Sequence, residues 1–149
     1  KAFEQIGMGK VATSAEEARA VGMLRPTDMM VINGEDLLSK AKRVALGLAA
    51  AGITPPAERT IKVPGRSGRA AIELFLRQMK QGGYASEHDI LVGSKLANVL
   101  TGGDVPNNTV LTERDLLDLE REAFLSLCGE PKTLERIQYM LEKGKPLRN

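Results

Sequence analysis

With 21 lysines and arginines against 19 aspartates and glutamates in 149 residues, the net charge is only +2, and no basic run is interleaved with aromatics, which argues against a nucleic-acid partner. Tryptophan is absent and aromatics make up 3%, so the core has to come from Leu, Ala, Val, Ile and Met, side chains that suit helix packing better than strand pairing. The single cysteine, Cys128, excludes an internal disulfide and a cysteine-based zinc site, and no apolar run approaches the ~18 residues of a membrane span.

In chain order, Phe3, Ile6 and Met8 line one side of a short uncapped helix. Ser14 caps the next helix by accepting a first-turn N–H, with Glu17 reaching back to the cap, and Gly22 stops it. The apolar run 29–32 predicts a strand ending at the Asn33-Gly34 turn. Asn33 with Asp36 opens a third helix on which Leu37, Ala41, Val44, Ala45 and Leu48 form one stripe. Pro55 and Pro56 then break the chain, and residues 60–65 permit a short strand limited by Pro64. Ser67 is expected to open a helix striped by Ile72, Phe75, Leu76 and Met79 and stopped at Gly82-Gly83. Ser86 with Asp89 caps the next, and Thr112 with Asp115 the one after. A last helix begins at Pro131, a favoured first-turn residue, with Gly144 behind it and residues 145–149 as a loose tail. The expected core includes Leu37, Val44, Leu48, Phe75, Leu96, Leu100, Leu116, Phe124, Ile137 and Leu141.

Possible chemistry is sparse. His88, the one histidine, follows Ser86-Glu87 and precedes Asp89, where two carboxylates could orient it as a base. The better reading is structural, because acids in a first helical turn suit the dipole and Ser86 and Asp89 already cap. Cys128 falls near a helix C-terminus with no histidine close in sequence, and reads as a small core residue. The glycines of Gly7-Met8-Gly9-Lys10 and Gly65-Arg66-Ser67-Gly68-Arg69 adjoin basic residues, and the second stretch leads into a helix N-terminus that could hold an anion. Neither has P-loop or dinucleotide spacing, so backbone geometry is the favoured role. Glu120, Arg121 and Glu122 are adjacent and point to different sides of a helix, as solvated charges do. No catalytic or metal-ligating set emerges.

Gly9, Ser14, Ala15, Ala18, Gly22, Met23 and Leu24, followed by Asp28, Leu37, Leu38, Ala41 and Ala45, resemble the closing segment of the enoyl-CoA hydratase/isomerase (crotonase) core. The far end, LLDLEREAFLSLCGEPKTLERIQYMLEKGKPLRN, is similar to the C-terminus of bacterial 3-hydroxyacyl-CoA dehydrogenases that carry a crotonase-like domain. The resemblance implies a C-terminal fragment of a β-oxidation enzyme using NAD and a CoA thioester. It places the oxyanion donors, acid/base carboxylates and cofactor loop upstream of these residues. It also implies that Lys40, Lys42 and Arg43, on the polar side of the matched helix, are the candidates for contact with CoA phosphates, against the plainer reading of a solvated face.

The expected fold is all-α, an irregular bundle of about five or six helices with at most one or two short strands. The expected division is a crotonase-like closing segment over 1–54 and a helical region over 55–149, forming one compact domain overall. The expected partners are the upstream domains of a parent chain, its acyl-CoA substrate and further copies in a homo-oligomer. Without a signal peptide the expected place is the cytoplasm. With its matching layers missing, the stretch 9–52 should leave apolar area uncovered and either promote self-association or leave this segment mobile. The alternative from another class is a free-standing helical adaptor that binds a protein through an apolar groove.

Overall fold

The structure, a computed structural model, describes residues 2–149. Among them are seven helices, α1 (Ala2–Gly7), α2 (Ala15–Val21), α3 (Leu37–Ala50), α4 (Gly65–Gln81), α5 (Glu87–Thr101), α6 (Glu113–Cys128) and α7 (Pro131–Lys143), and two three-residue strands, β1 (Thr60–Lys62) and β2 (Val110–Thr112). The all-α class holds, with seven helices in place of five or six. Two compact units are formed: Gly9–Ala57 is one, and residues 2–8 join Glu58–Asn149 in the other.

In the unit Gly9–Ala57, Ser14 Oγ accepts the Glu17 N–H at 3.0 Å, as the sequence predicts. Glu17 does not return to the Ser14 backbone; its carboxylate takes the N–H and hydroxyl of Thr13, each at 2.7 Å, one residue earlier. Gly22 ends α2 at φ 85°, in the left-handed region that glycine enters without penalty. The strand expected over 29–32 is absent. A strand needs a neighbour for its alternate N–H and C=O groups, this unit contains no other strand, and Met29 and Ile32 stand exposed. Asn33 caps a single 3-10 turn, Gly34–Asp36, through the Glu35 N–H, and α3 follows without a side-chain cap from Asp36. The α3 stripe has the expected period, yet Leu37 and Leu48 are exposed and Val44 is only half-buried.

The second unit is arranged about α5, which packs against α4, α6 and α1, while α7 packs on α6. Small residues make the tightest contacts. A Cβ on Gly93 would lie 2.6 Å from a Leu76 methyl, and Ala97 is fully buried between its neighbours. The fully buried Thr101 satisfies its hydroxyl within α5, donating to the Ala97 carbonyl at 2.8 Å. The strands pair antiparallel with Ile61 opposite Leu111, an arrangement in which β1 was foreseeable and its partner β2 was not. Both predicted capping boxes, Ser86 with Asp89 and Thr112 with Asp115, are present with both hydrogen bonds. Ser67 does not start α4; the helix begins two residues earlier, after Pro64.

The expected core is overturned in part. Val63, Leu76 and Ala97 are the buried apolar residues among those described. Leu96, Leu100 and Leu116 are half-buried, whereas Phe75, Ile137 and Leu141 are exposed and Phe124 is 59% exposed. Helical period identifies an apolar face but not whether anything lies on it.

Candidate functional site

The Gly65–Arg69 stretch could hold an anion only if its N–H groups and guanidiniums were free, and the chain itself occupies them. Gly65 sits at φ 61° under the loop 104–107, and a Cβ there would fall 2.5 Å from the Pro106 carbonyl oxygen. The Arg66 N–H donates to the Val105 carbonyl at 3.1 Å, and the Ser67 N–H donates to Asn107 Oδ1 at 3.0 Å. Arg66 Nε pairs with Asp104 at 2.6 Å and holds that carboxyl below its ordinary pKa. Arg69 bridges Glu73 and Asn98, each at 2.9 Å. The backbone role of Gly65 stands, and the side-chain amide of Asn107 takes the place an anion would need.

His88 is 4% exposed on the side of α5 that meets α7, its Nε2 sharing a hydrogen bond with Thr133 Oγ1 at 3.0 Å. Burial lowers its pKa, and the positive charges of Arg136 and Lys132 lower it further against the opposing pull of Glu130 and Asp89. A neutral imidazole enclosed between two helices is a packing element. Arg136 organises the same junction. It donates to Asp89 Oδ1 at 2.8 Å, to Ser86 Oγ at 3.4 Å and to Asn149 Oδ1 at 2.8 Å, tying α7 to the cap of α5. Burial alone would raise the pKa of Asp89, but hydrogen bonds from the Ser86 backbone and Arg136, together with the Arg136 charge, leave it below the usual carboxylate value. The expected loose tail is therefore anchored at its end, where the Asn149 amide also donates to Glu135 at 2.7 Å.

Lys40 pairs with Asp36 at 3.6 Å across one turn of α3, while Lys42 and Arg43 stand exposed without an ion-pair partner among the described residues. Cys128 is a free, half-buried thiol at the end of α6. No group of histidine, cysteine or acidic side chains among the described residues could hold a metal ion, and no described helix is long and apolar enough to cross a membrane.

One concavity of the second unit is an apolar groove of about 570 Å³ walled by α5 and α6, with α1 and β1 contributing to its lining. Leu96, Val99 and Leu100 of α5 meet Leu116, Ala123 and Leu127 of α6 there. Exposed Ile6, Ile61, Leu117 and Phe124 line it as well. Its ionisable groups are Lys62, Lys95, Glu113 and Glu120, none of them in an ion pair among the described residues. Sequence reasoning missed the groove by assigning Phe124 to the core. The usable signal was the apolar stripe of α6, which is wider than one neighbouring helix can cover.

Over all 149 residues the chain is 51% identical to a probable 3-hydroxyacyl-CoA dehydrogenase of Bacillus subtilis (strain 168). It spans 19% of that protein's length, so the similarity concerns one region of a much longer relative. No protein-family profile matches the chain, and no solved structure matches it.

Proposed function

We propose that these 149 residues are a region of a longer fatty-acid β-oxidation enzyme of the 3-hydroxyacyl-CoA dehydrogenase type, in which they supply packing and subunit contacts rather than chemistry. The observation that carries this reading is 51% identity sustained over the whole chain but over only 19% of the relative. The site geometry agrees with it. The one histidine is enclosed as a packing group, the glycine-rich stretch is closed by its own loop, and the groove is lined by apolar side chains apart from Lys62, Lys95, Glu113 and Glu120. In this reading NAD and the acyl-CoA substrate are held mainly by the rest of the protein. Residues 9–52 close a crotonase-like layer, which accounts for the uncovered leucines of α3. Lys40, Lys42 and Arg43 are its contacts for CoA phosphates, with Lys42 and Arg43 the freer pair.

The test is the reading frame and the activity of its product. The frame is expected to extend well beyond these residues and to encode a protein that reduces NAD with a 3-hydroxyacyl-CoA, while the 149 residues alone give no turnover in dehydrogenase or hydratase assays. A frame confined to these residues would sink the proposal and leave the adaptor reading, as would turnover by the short chain that His88→Ala abolishes.

A further inference from the structure

The groove between α5 and α6 has no occupant within its own unit, although its lining is built for one. Ile6, Ile61, Leu117 and Phe124 are 56%, 39%, 50% and 59% exposed and converge from three elements on one concavity. Separately scattered exposed apolar residues need no explanation, but a contiguous concave set marks a contact surface. Along α6 the apolar part of the lining runs from Leu116 to Leu127, about 16 Å at the helical rise, which matches three turns of a second helix. The charges are sorted by element: the acids Glu113 and Glu120 lie on α6, and the lysines Lys62 and Lys95 lie on β1 and α5.

We infer that this groove seats an amphipathic helix from another part of the same longer polypeptide. That helix would present apolar side chains at i, i+3 or i+4, and i+7, with acidic residues toward Lys62 and Lys95 and basic residues toward Glu113 and Glu120. The inference rests on the proposed function for the existence of that polypeptide. If the protein has the relative's proportions, some four-fifths of it lies outside these residues, ample chain to supply one such helix. A docked helix also accounts for the exposure of Phe124 without requiring any rearrangement of α6.

The experiment compares the long protein with the 149-residue chain, each with Cys128→Ser and one reporter, Phe124→Cys in the groove or Arg114→Cys as an α6 control outside its lining. Maleimide labelling at position 124, normalised to position 114, is expected to slow at least about tenfold in the long protein at every protein concentration, since access then requires local opening. Equal normalised rates would overturn the inference. So would protection that rises with concentration in both proteins, which identifies a second copy, or protection that appears only with added acyl-CoA, which identifies a ligand. Hydrogen exchange in the unsubstituted long protein gives a reading independent of the variants: amides 116–127 that exchange as fast as in the short chain overturn it too. An active long dehydrogenase with an open groove would refute the docking alone. Protection in an inactive long protein would refute the proposed activity alone.

Discussion

Replacing Gly65 by alanine separates two costs that are usually confounded. The first is conformational: at φ 61° a side chain meets its own backbone, which costs about 1 to 2 kcal/mol. The second is spatial, because the new Cβ would lie 2.5 Å from the Pro106 oxygen and 2.7 Å from the Val105 oxygen, both rigid backbone atoms. Relief requires the loop to withdraw and weakens the bonds from the Arg66 and Ser67 N–H groups to Val105 and Asn107, at about 1 kcal/mol each. After subtracting about 0.5 kcal/mol for the stiffer unfolded chain, the net loss is about 3 kcal/mol. Gly144 supplies the control. It has almost the same φ, 65°, but nothing lies within 4 Å of its added Cβ, so Gly144→Ala should cost only about 1 kcal/mol. Urea titrations followed by helical circular dichroism read both variants. A Gly65→Ala penalty no larger than that of Gly144→Ala would refute the argument that the loop 104–107 closes the N-terminus of α4.

Arg136→Met should destabilise the α5–α7 junction by about 2 kcal/mol, because it leaves the partly buried Asp89 without its charged donor; unchanged hydrogen exchange in α7 would count against this. The depressed pKa of His88 makes the folded state the weaker proton binder, so stability should be full above the ordinary value of 6.5 and decline as pH falls below it. His88→Gln should flatten that limb in urea midpoints measured between pH 7.5 and 5, while the limb due to Asp89, also depressed, persists at lower pH. Thr112→Ala should cost about 1 kcal/mol through loss of the cap of α6, and Thr112→Ser should restore most of it. In the long protein, Lys42→Gln with Arg43→Gln should raise KM for acyl-CoA several-fold at low salt with kcat unchanged; an unchanged KM would return these residues to the solvated face.

Capping and stopping signals were legible because they are local. Ser14, Ser86, Thr112 and Pro131 each act within four residues, and the glycines that end α2, α5 and α7 adopt the left-handed conformation such signals imply. Features needing a distant partner were not. The run 29–32 has strand composition but no neighbour, whereas β2 looked like nothing more than the residues before a cap until Thr60 of β1 came opposite Thr112. The groove was hidden for the same reason. Leu116 and Phe124 share a stripe, yet Leu116 is half-buried and Phe124 open, a difference set by how far α5 reaches across α6. Asn107 capping the start of α4 from 40 positions away could not have been read from spacing at all.

The two short strands govern how that groove can move. Thr112 is at once the last residue of β2 and the cap of α6, and only Val63 and Pro64 separate β1 from α4. Both long helices therefore spring from one hydrogen-bonded ladder with almost no slack. A one-residue slip in that ladder would turn each strand over and carry the start of α6 with it, so the register of three residue pairs also fixes which side of α6 faces α5. Widening the groove by sliding α6 bodily away would break the ladder; swinging the helix about Thr112 would leave it intact. Swinging meets a second restraint, because just past Leu127 the chain enters α7, which His88 and Arg136 tie to α5; the groove is held at both ends and takes an incoming helix with its walls in place.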